Sequence, residues 1–88
     1  MTDIYTTSLL LRTRPAETEK LRVQFESWPH TEIGYSDASG KMIALLETEN
    51  CRAIQNWISK AEKLPGVFSV FMIYHHLEPA HALNEVLQ

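Results

Sequence analysis

The sequence predicts an α+β fold in which strands and helices alternate in the order βαββαβ. Two segments carry apolar side chains three and four residues apart, which is the spacing of one helix face. Four shorter segments are rich in β-branched and large apolar residues, as strands are. A loop containing glycine joins the two middle strands, which is typical of a hairpin.

In the first half of the chain we expect a strand over residues 4–12, then a helix and a second strand. Pro15 suits the first turn of a helix, where its missing amide proton is not needed. Three large apolar residues then share one helix face: Leu21, Phe25 and Trp28. Pro29 ends this helix because proline cannot continue the hydrogen-bond ladder. Residues 31–36 alternate in polarity, as a half-buried strand does.

In the second half, the hairpin loop Asp37–Gly40 leads into a third strand, Lys41–Glu47. Asn50 is expected to cap the second helix, since its side chain can accept a hydrogen bond from a free backbone amide. That helix carries the most regular apolar spacing of the sequence: Ile54, Trp57, Ile58, Ala61 and Leu64. Pro65–Gly66 ends the helix, and the fourth strand runs over Val67–His75.

This order of elements, with right-handed crossovers, predicts the ferredoxin-like fold. The expected sheet is antiparallel with the strand order 4-1-3-2. Both helices cover one of its faces, and the other face is open. In this interpretation residues 1–79 form a single domain, and residues 80–88 form a short C-terminal tail.

Composition narrows the range of functions. The chain has 88 residues, a formal net charge of −3 and one cysteine, Cys51. A mildly acidic chain offers no basic stripe to nucleic acid. One cysteine permits neither an internal disulfide nor a Cys-x-x-Cys motif. We recognise neither a signal peptide nor an apolar run of the roughly 20 residues that cross a membrane, and we expect a soluble cytoplasmic protein.

The fourth strand is apolar on both of its faces, although only one face of the expected sheet is covered. The side chains predicted to face the helices are Leu9, Leu11, Ile33, Tyr35, Met42, Ala44, Leu46, Phe68, Val70 and Met72. The side chains predicted on the open face are Ser8, Leu10, Arg12, Glu32, Gly34, Ser36, Ile43, Leu45, Glu47, Ser69, Phe71, Ile73 and His75. The open face therefore carries a contiguous apolar patch, and such patches usually mark interaction sites.

No catalytic centre is recognisable among the polar residues. His75 and His76 are adjacent in a strand and point to opposite faces, so we do not expect them to share a metal ion. Arg12 and Arg14 flank the first strand–helix corner, but without the glycine-rich cradle of a phosphate site. No nucleophile, base and orienting residue come together. The residues alone predict an interaction module that uses a sheet face.

Several stretches of the chain resemble the NapD family, the small cytoplasmic assembly chaperones of the periplasmic nitrate reductase system. They are Ser8–Leu11, Ser36–Lys41 with Ile43–Glu47, and Leu64–Val67 running to Ile73–His75. The resemblance covers residues 4–77 in order. His30 departs from it, because a glycine is expected after the proline. Phe71 departs too, because it is bulkier than the small residue expected on its row.

The resemblance implies a chaperone that carries no cofactor and binds the twin-arginine signal peptide of the catalytic subunit, NapA. Binding would hold the precursor back from the twin-arginine translocase until its molybdenum cofactor is inserted. The peptide is expected to lie as a helix against the open sheet face. The chaperone itself is expected to be a monomer or a weak homodimer.

The residues expected to contact the peptide are Leu10, Arg12, Glu32, Ile43, Leu45, Glu47, Ser69, Phe71, Ile73 and His75. Glu47 and Glu32, with help from Asp37, are expected to meet the arginines of the peptide through charge-assisted hydrogen bonds. Phe71 is the leading candidate for an anchor residue.

An alternative use of the same face is a dimeric ferredoxin-like enzyme or a ligand-binding module. Two open sheets would then face each other over a substrate or a haem, with His75 as a candidate ligand. A monomeric mass that does not depend on concentration would argue against this alternative.

Overall fold

The computed structural model describes residues 4–78, which form one four-stranded sheet and two α-helices. The strands are β1 (Ile4–Thr13), β2 (Thr31–Ser36), β3 (Lys41–Thr48) and β4 (Val67–Glu78). The helices are α1 (Thr18–Glu26), which follows a 3-10 turn (Pro15–Glu17), and α2 (Cys51–Glu62). The predicted tail, residues 80–88, lies outside the described residues.

All neighbouring strands are antiparallel, and their order is β2-β3-β1-β4. Counted from the other edge, this is the predicted order 4-1-3-2, so the ferredoxin-like topology is confirmed. The central strands β1 and β3 pair without interruption, whereas β2 and β4 each contain irregularities. The centre of the sheet therefore has a simple alternation of faces, and the edges do not.

Local signals place the ends of the helices near their predicted positions. The side chain of Asn50 caps α2 and accepts a hydrogen bond from the amide of Arg52 at 2.8 Å. Beyond α2, Gly66 has a φ of 91°, a left-handed value that glycine adopts without strain. Pro15 opens a 3-10 turn, so the α-helical part of α1 begins only at Thr18. The helix ends before Trp28, whose ring still packs against the core.

The turn between α1 and β2 contains a strained residue. His30 has a φ of 61°, and within residues 4–78 it alone, apart from the glycines, has a positive φ. The left-handed region costs an ordinary L-residue roughly 1–2 kcal/mol. This conformation explains why the family resemblance predicts a glycine at this position. The carbonyl of His30 accepts a hydrogen bond from the amide of Glu47 at 3.3 Å, which extends the pairing of β2 with β3.

The hydrophobic core lies between the helices and one face of the sheet. Its buried side chains are Leu9, Leu11, Leu21, Phe25, Met42, Ala44, Leu46, Ile54, Trp57 and Ala61. A large aliphatic or aromatic side chain contributes about 1.5–3 kcal/mol when it leaves water completely. The helix-facing rows predicted for β1 and β3 are therefore confirmed. Within residues 4–78, neither α1 nor α2 covers the other face of these two strands.

Two predictions for β2 are wrong because this strand contains a β-bulge. Gly34 is an extra residue, so Tyr35 pairs with Ile43 and Ser36 pairs with Met42. The prediction that Tyr35 faces the helices is wrong, because its partner Ile43 belongs to the open face. The prediction that Ser36 lies on the open face is also wrong, because Met42 is buried under the helices. The extra residue reverses the alternation beyond it.

Two predictions for β4 are wrong because the pairing of this strand with β1 is irregular at two places. Phe68 and Ile73 are the extra residues of this strand relative to β1. Phe68 is 64% exposed, so its assignment to the core is wrong. His75 pairs with Thr7, a buried residue of the helix-facing row, and not with the open face. Its Nδ1 lies 2.8 Å from the hydroxyl of Thr7, and its ring stacks on Tyr5 at 5.5 Å between centroids.

Candidate functional site

A line of apolar side chains crosses all four strands on the open face. Tyr35 pairs with Ile43, Ile43 with Leu10, and Leu10 with Phe71. Directly paired residues point to the same face of a sheet, so these four side chains form one cross-sheet row. Phe71 is 56% exposed and Tyr35 is 47% exposed, while Leu10 and Ile43 between them are half-buried. The row therefore presents two rings at its ends and aliphatic surface in its centre.

The ring of Tyr35 is held by the hairpin loop. Its hydroxyl donates a hydrogen bond to Oδ2 of Asp37 at 2.7 Å, and this bond raises the pKa of Tyr35. Oδ1 of Asp37 accepts hydrogen bonds from the hydroxyl of Ser39 at 2.6 Å and from the amides of Ser39 and Lys41. The hydroxyls of Ser39 and Tyr35 hold the pKa of Asp37 well below its usual range. Asp37 is thus engaged in its own turn.

A second line of side chains lies one step further along the strands. Leu45 pairs with Glu32 and with Ser8, and Ser8 pairs with Tyr74, which is 52% exposed. A Cβ atom at Gly34 would lie 3.3 Å from Cδ1 of Leu45, which is a tight contact. The bulge glycine therefore leaves space for Leu45 on this face.

One end of the open face is acidic. Glu32 and Glu47 are both exposed there. Two shallow depressions, each of about 440 Å³, adjoin Glu47 and share His30 as a lining residue. One depression reaches Glu32 and Leu45, and the other reaches Glu49 at the start of α2. Carboxylates therefore line both hollows at this end.

The opposite end of the open face is basic. Arg12 pairs with Lys41 on one side and with Ser69 on the other. Asp37 belongs to this end too, because it lies in the hairpin that joins β2 to β3. The prediction that Asp37 assists Glu32 and Glu47 is wrong, since the three carboxylates do not share one end of the sheet.

None of these charged side chains is paired with an opposite charge inside the described part of the chain. The ion pairs formed within residues 4–78 all involve Arg22 of α1, which binds Glu19 and Glu26. No ion pair within residues 4–78 involves Glu32, Glu47, Arg12 or Lys41. Their charges are therefore available to a partner.

Eight of the ten predicted contact residues lie on the open face: Leu10, Arg12, Glu32, Ile43, Leu45, Glu47, Ser69 and Phe71. Ile73 is an extra residue of β4 and is 54% exposed. His75 lies in the helix-facing row, so its assignment to the open face is corrected. Whether these residues bind a peptide stays a prediction.

The structure adds residues to this face that sequence reasoning missed. Tyr35 and Tyr74 contribute exposed rings, and Lys41 contributes a charge. Gly34 was the available signal for Tyr35, because a glycine inside a strand often marks a bulge. Tyr74 had no such signal, since no glycine accompanies the irregularity at Ile73.

Among residues 4–78, no three His, Cys, Asp or Glu side chains come close enough together to hold a metal ion. Neither α1 nor α2 is long and apolar enough to span a membrane.

Comparisons with known proteins identify the family. The model of the NapD protein family matches residues 5–79. The chaperones NapD of Escherichia coli K12 and of Shigella flexneri are each 28% identical over 72 residues, which is 81% of this chain and 83% of theirs. The solution structure of the E. coli Tat proofreading chaperone NapD is similar with a TM-score of 0.78 and 26% identity, over 85% of this chain and 80% of that one. The chain therefore belongs to the NapD family, whose members are chaperones and not enzymes.

Proposed function

We propose that this chain binds the twin-arginine signal peptide of the NapA precursor on its open sheet face. While bound, the peptide cannot be read by the twin-arginine translocase. Export of the nitrate reductase subunit then waits until the molybdenum cofactor has been inserted. The cofactor belongs to the precursor, and the chaperone contributes only the binding surface.

The cross-sheet row carries this proposal. Its two terminal rings are about half exposed, whereas the core residues on the other face of the sheet are buried. Large apolar side chains in a contiguous exposed patch favour an interaction site. An amphipathic helix is a suitable occupant, since helices commonly lay an apolar face into an apolar groove. A contact of about 600 Å² on each partner would lie at the small end of specific interfaces.

The proposed contact set follows the geometry of the face. Leu10, Ile43, Leu45 and Phe71 would receive the apolar part of the peptide, with Tyr35 and Tyr74 beside them. Glu32 and Glu47 would accept hydrogen bonds from the two guanidinium groups. Arginine and carboxylate can pair through two parallel hydrogen bonds, which adds geometric selectivity.

The cellular setting follows from the same proposal. Retention of a precursor before export requires the chaperone to act in the cytoplasm. We also propose that residues 1–79 act as one domain with a short tail at 80–88, and that the chaperone acts as a monomer or a weak homodimer.

The proposal is tested by titrating the purified protein with a synthetic NapA signal peptide in a calorimeter. A second peptide, with both arginines replaced by glutamine, is titrated in parallel. We expect binding of the native peptide and weaker binding of the second. No detectable heat with the native peptide at tens of micromolar would refute the proposal.

A pair of matched variants locates the binding face. Ile43→Asp introduces a charge into the cross-sheet row and should abolish binding while the fold is retained. Val23→Asp is the control, because Val23 is an apolar residue of α1 that is 58% exposed on the helix side. It should leave binding unchanged. Equal loss of binding in both variants would contradict the assignment of the face.

A further inference from the structure

The charges of the open face are separated along the strand direction. At one end of β3 lies Glu47, next to Glu32 of β2. At the other end of β3 lies Lys41, which pairs with Arg12 of β1. The cross-sheet row, which includes Ile43, lies between the two ends. The face therefore has a negative end, an apolar centre and a positive end.

The length of this pattern fits a particular helix. Glu47 lies six positions after Lys41 in β3. A strand rises about 3.3 Å per residue, so the charged ends are ~20 Å apart. A helix rises about 1.5 Å per residue, so ~13 helical residues span the same distance. The apolar region of an export signal has roughly 7–15 residues. One signal helix laid along the strands therefore covers the face from end to end.

The electrostatics of such a helix distinguish its two possible directions. Its N-terminal end carries the cationic residues of the signal, and the helix dipole adds about half a positive charge there. Its C-terminal end carries about half a negative charge. One direction places both positive contributions on Glu32 and Glu47 and the negative end on Arg12 and Lys41. The reverse direction places like charges together at both ends.

We propose, on the basis of the function proposed above, that the signal helix binds in one direction, parallel to β1. Its arginine-bearing N-terminal end lies over Glu32 and Glu47, and its C-terminal end lies over Arg12 and Lys41. The two depressions beside Glu47 provide space for one guanidinium group on each side of this carboxylate. The charge pattern thus selects for a helix that is cationic at its start and apolar afterwards.

Asp37 does not reverse this polarity. It lies at the positive end, but both of its carboxylate oxygens already accept hydrogen bonds from Tyr35, Ser39 and Lys41. Two of these four bonds come from Ser39 in the same loop, and the other two come from the flanking strands, so oriented donors partly neutralise the charge of Asp37. Arg12 and Lys41 receive no ion pair from it.

The direction is measured with two spin-labelled NapA signal peptides, one with a nitroxide near its N-terminus and one with it near its C-terminus. The N-terminal label should broaden the NMR amide signals of Thr6, Glu32 and Glu47, and the C-terminal label those of Arg12 and Lys41. The opposite pattern, or equal broadening at both ends, overturns the proposed direction. A failure of both peptides to bind refutes the proposed function instead, so the two failures are distinguishable.

A double-mutant cycle provides an independent test of the same proposal. Glu47→Gln should weaken binding of the native peptide about two- to fivefold, the range of exposed ion pairs. The same substitution should hardly change the affinity for the peptide that lacks both arginines. Lys41→Gln is the matched control, and its effect should be the same for both peptides. Coupling of the arginines to Lys41 rather than to Glu47 overturns the proposal.

Discussion

Replacing Phe71 by alanine is expected to weaken signal-peptide binding about 10- to 100-fold. An aromatic side chain has about 200 Å² of surface, and Phe71 is 56% exposed, which leaves ~110 Å² for a partner to cover. At about 25 cal/mol per Å², full coverage is worth ~2.8 kcal/mol and half coverage ~1.4 kcal/mol. Each 1.4 kcal/mol changes the Kd about tenfold. Phe71 would then rank among the anchor residues of the interface.

Met72→Ala is the matched control for this prediction. Met72 is the next residue of β4, is 44% exposed, and pairs with Leu9 in the helix-facing row. Both variants remove a large, partly exposed side chain from the same edge strand, so each should lower the free energy of unfolding by about 1–2 kcal/mol. Only Phe71→Ala should weaken binding.

Isothermal titration calorimetry with the NapA signal peptide measures the Kd, and urea unfolding measures the stability of each variant. A change below twofold for Phe71→Ala, in a protein that remains folded, would show that Phe71 is not an anchor residue of the interface. An equal loss of affinity in Met72→Ala would also contradict this role of Phe71, because the face would then not matter.

Three further predictions concern stability. Gly40→Ala should lower the free energy of unfolding by about 2–4 kcal/mol in urea titrations. The reason is that Gly40 has a φ of 96° and a Cβ there would lie 2.1 Å from the carbonyl oxygen of Thr13. An unchanged urea midpoint would contradict this prediction. Asp37→Asn should be less stable than the native chain at neutral pH. Hydrogen bonds from Ser39 and Tyr35 lower the folded-state pKa of Asp37. The stability that Asp37 contributes is therefore fully present above its unfolded pKa, and it is lost as the pH falls below about 4 toward the folded-state pKa. A stability difference between Asp37→Asn and the native chain that does not shrink at acid pH would argue against this cause. His30→Gly should raise the free energy of unfolding in urea titrations by up to about 1 kcal/mol, because it removes the left-handed strain while the greater freedom of glycine in the unfolded chain offsets part of the gain. A lower free energy of unfolding would show that the strain is not significant.

The sequence predicted the centre of this fold better than its edges, for a physical reason. Leu9 and Met42 lie in strands that pair on both sides, so the buried rows alternate regularly and could be assigned by parity. Edge strands have one free side and accommodate extra residues there. Each extra residue reverses the faces beyond it, which is why Tyr35 and His75 were assigned to the wrong rows.

The candidate site was predictable to the same extent. Leu10 and Ile43 follow from the alternation of the central strands, and they define the middle of the open face. The rings of Tyr35 and Tyr74 depend on irregularities that periodicity does not reveal. The separation of charge depends on register, because only the pairing of Arg12 with Lys41 places these two cations together at one end.

Intermolecular nuclear Overhauser effects, measured in the complex with a NapA signal peptide, report directly which face of the protein binds the peptide. Methyl groups of Leu10, Ile43 and Leu45 should show such effects to the peptide. Methyl groups of Val23 and Ile58, which belong to α1 and α2, should show none. Effects confined to the helix methyls would contradict the claim that the open sheet face is the binding surface.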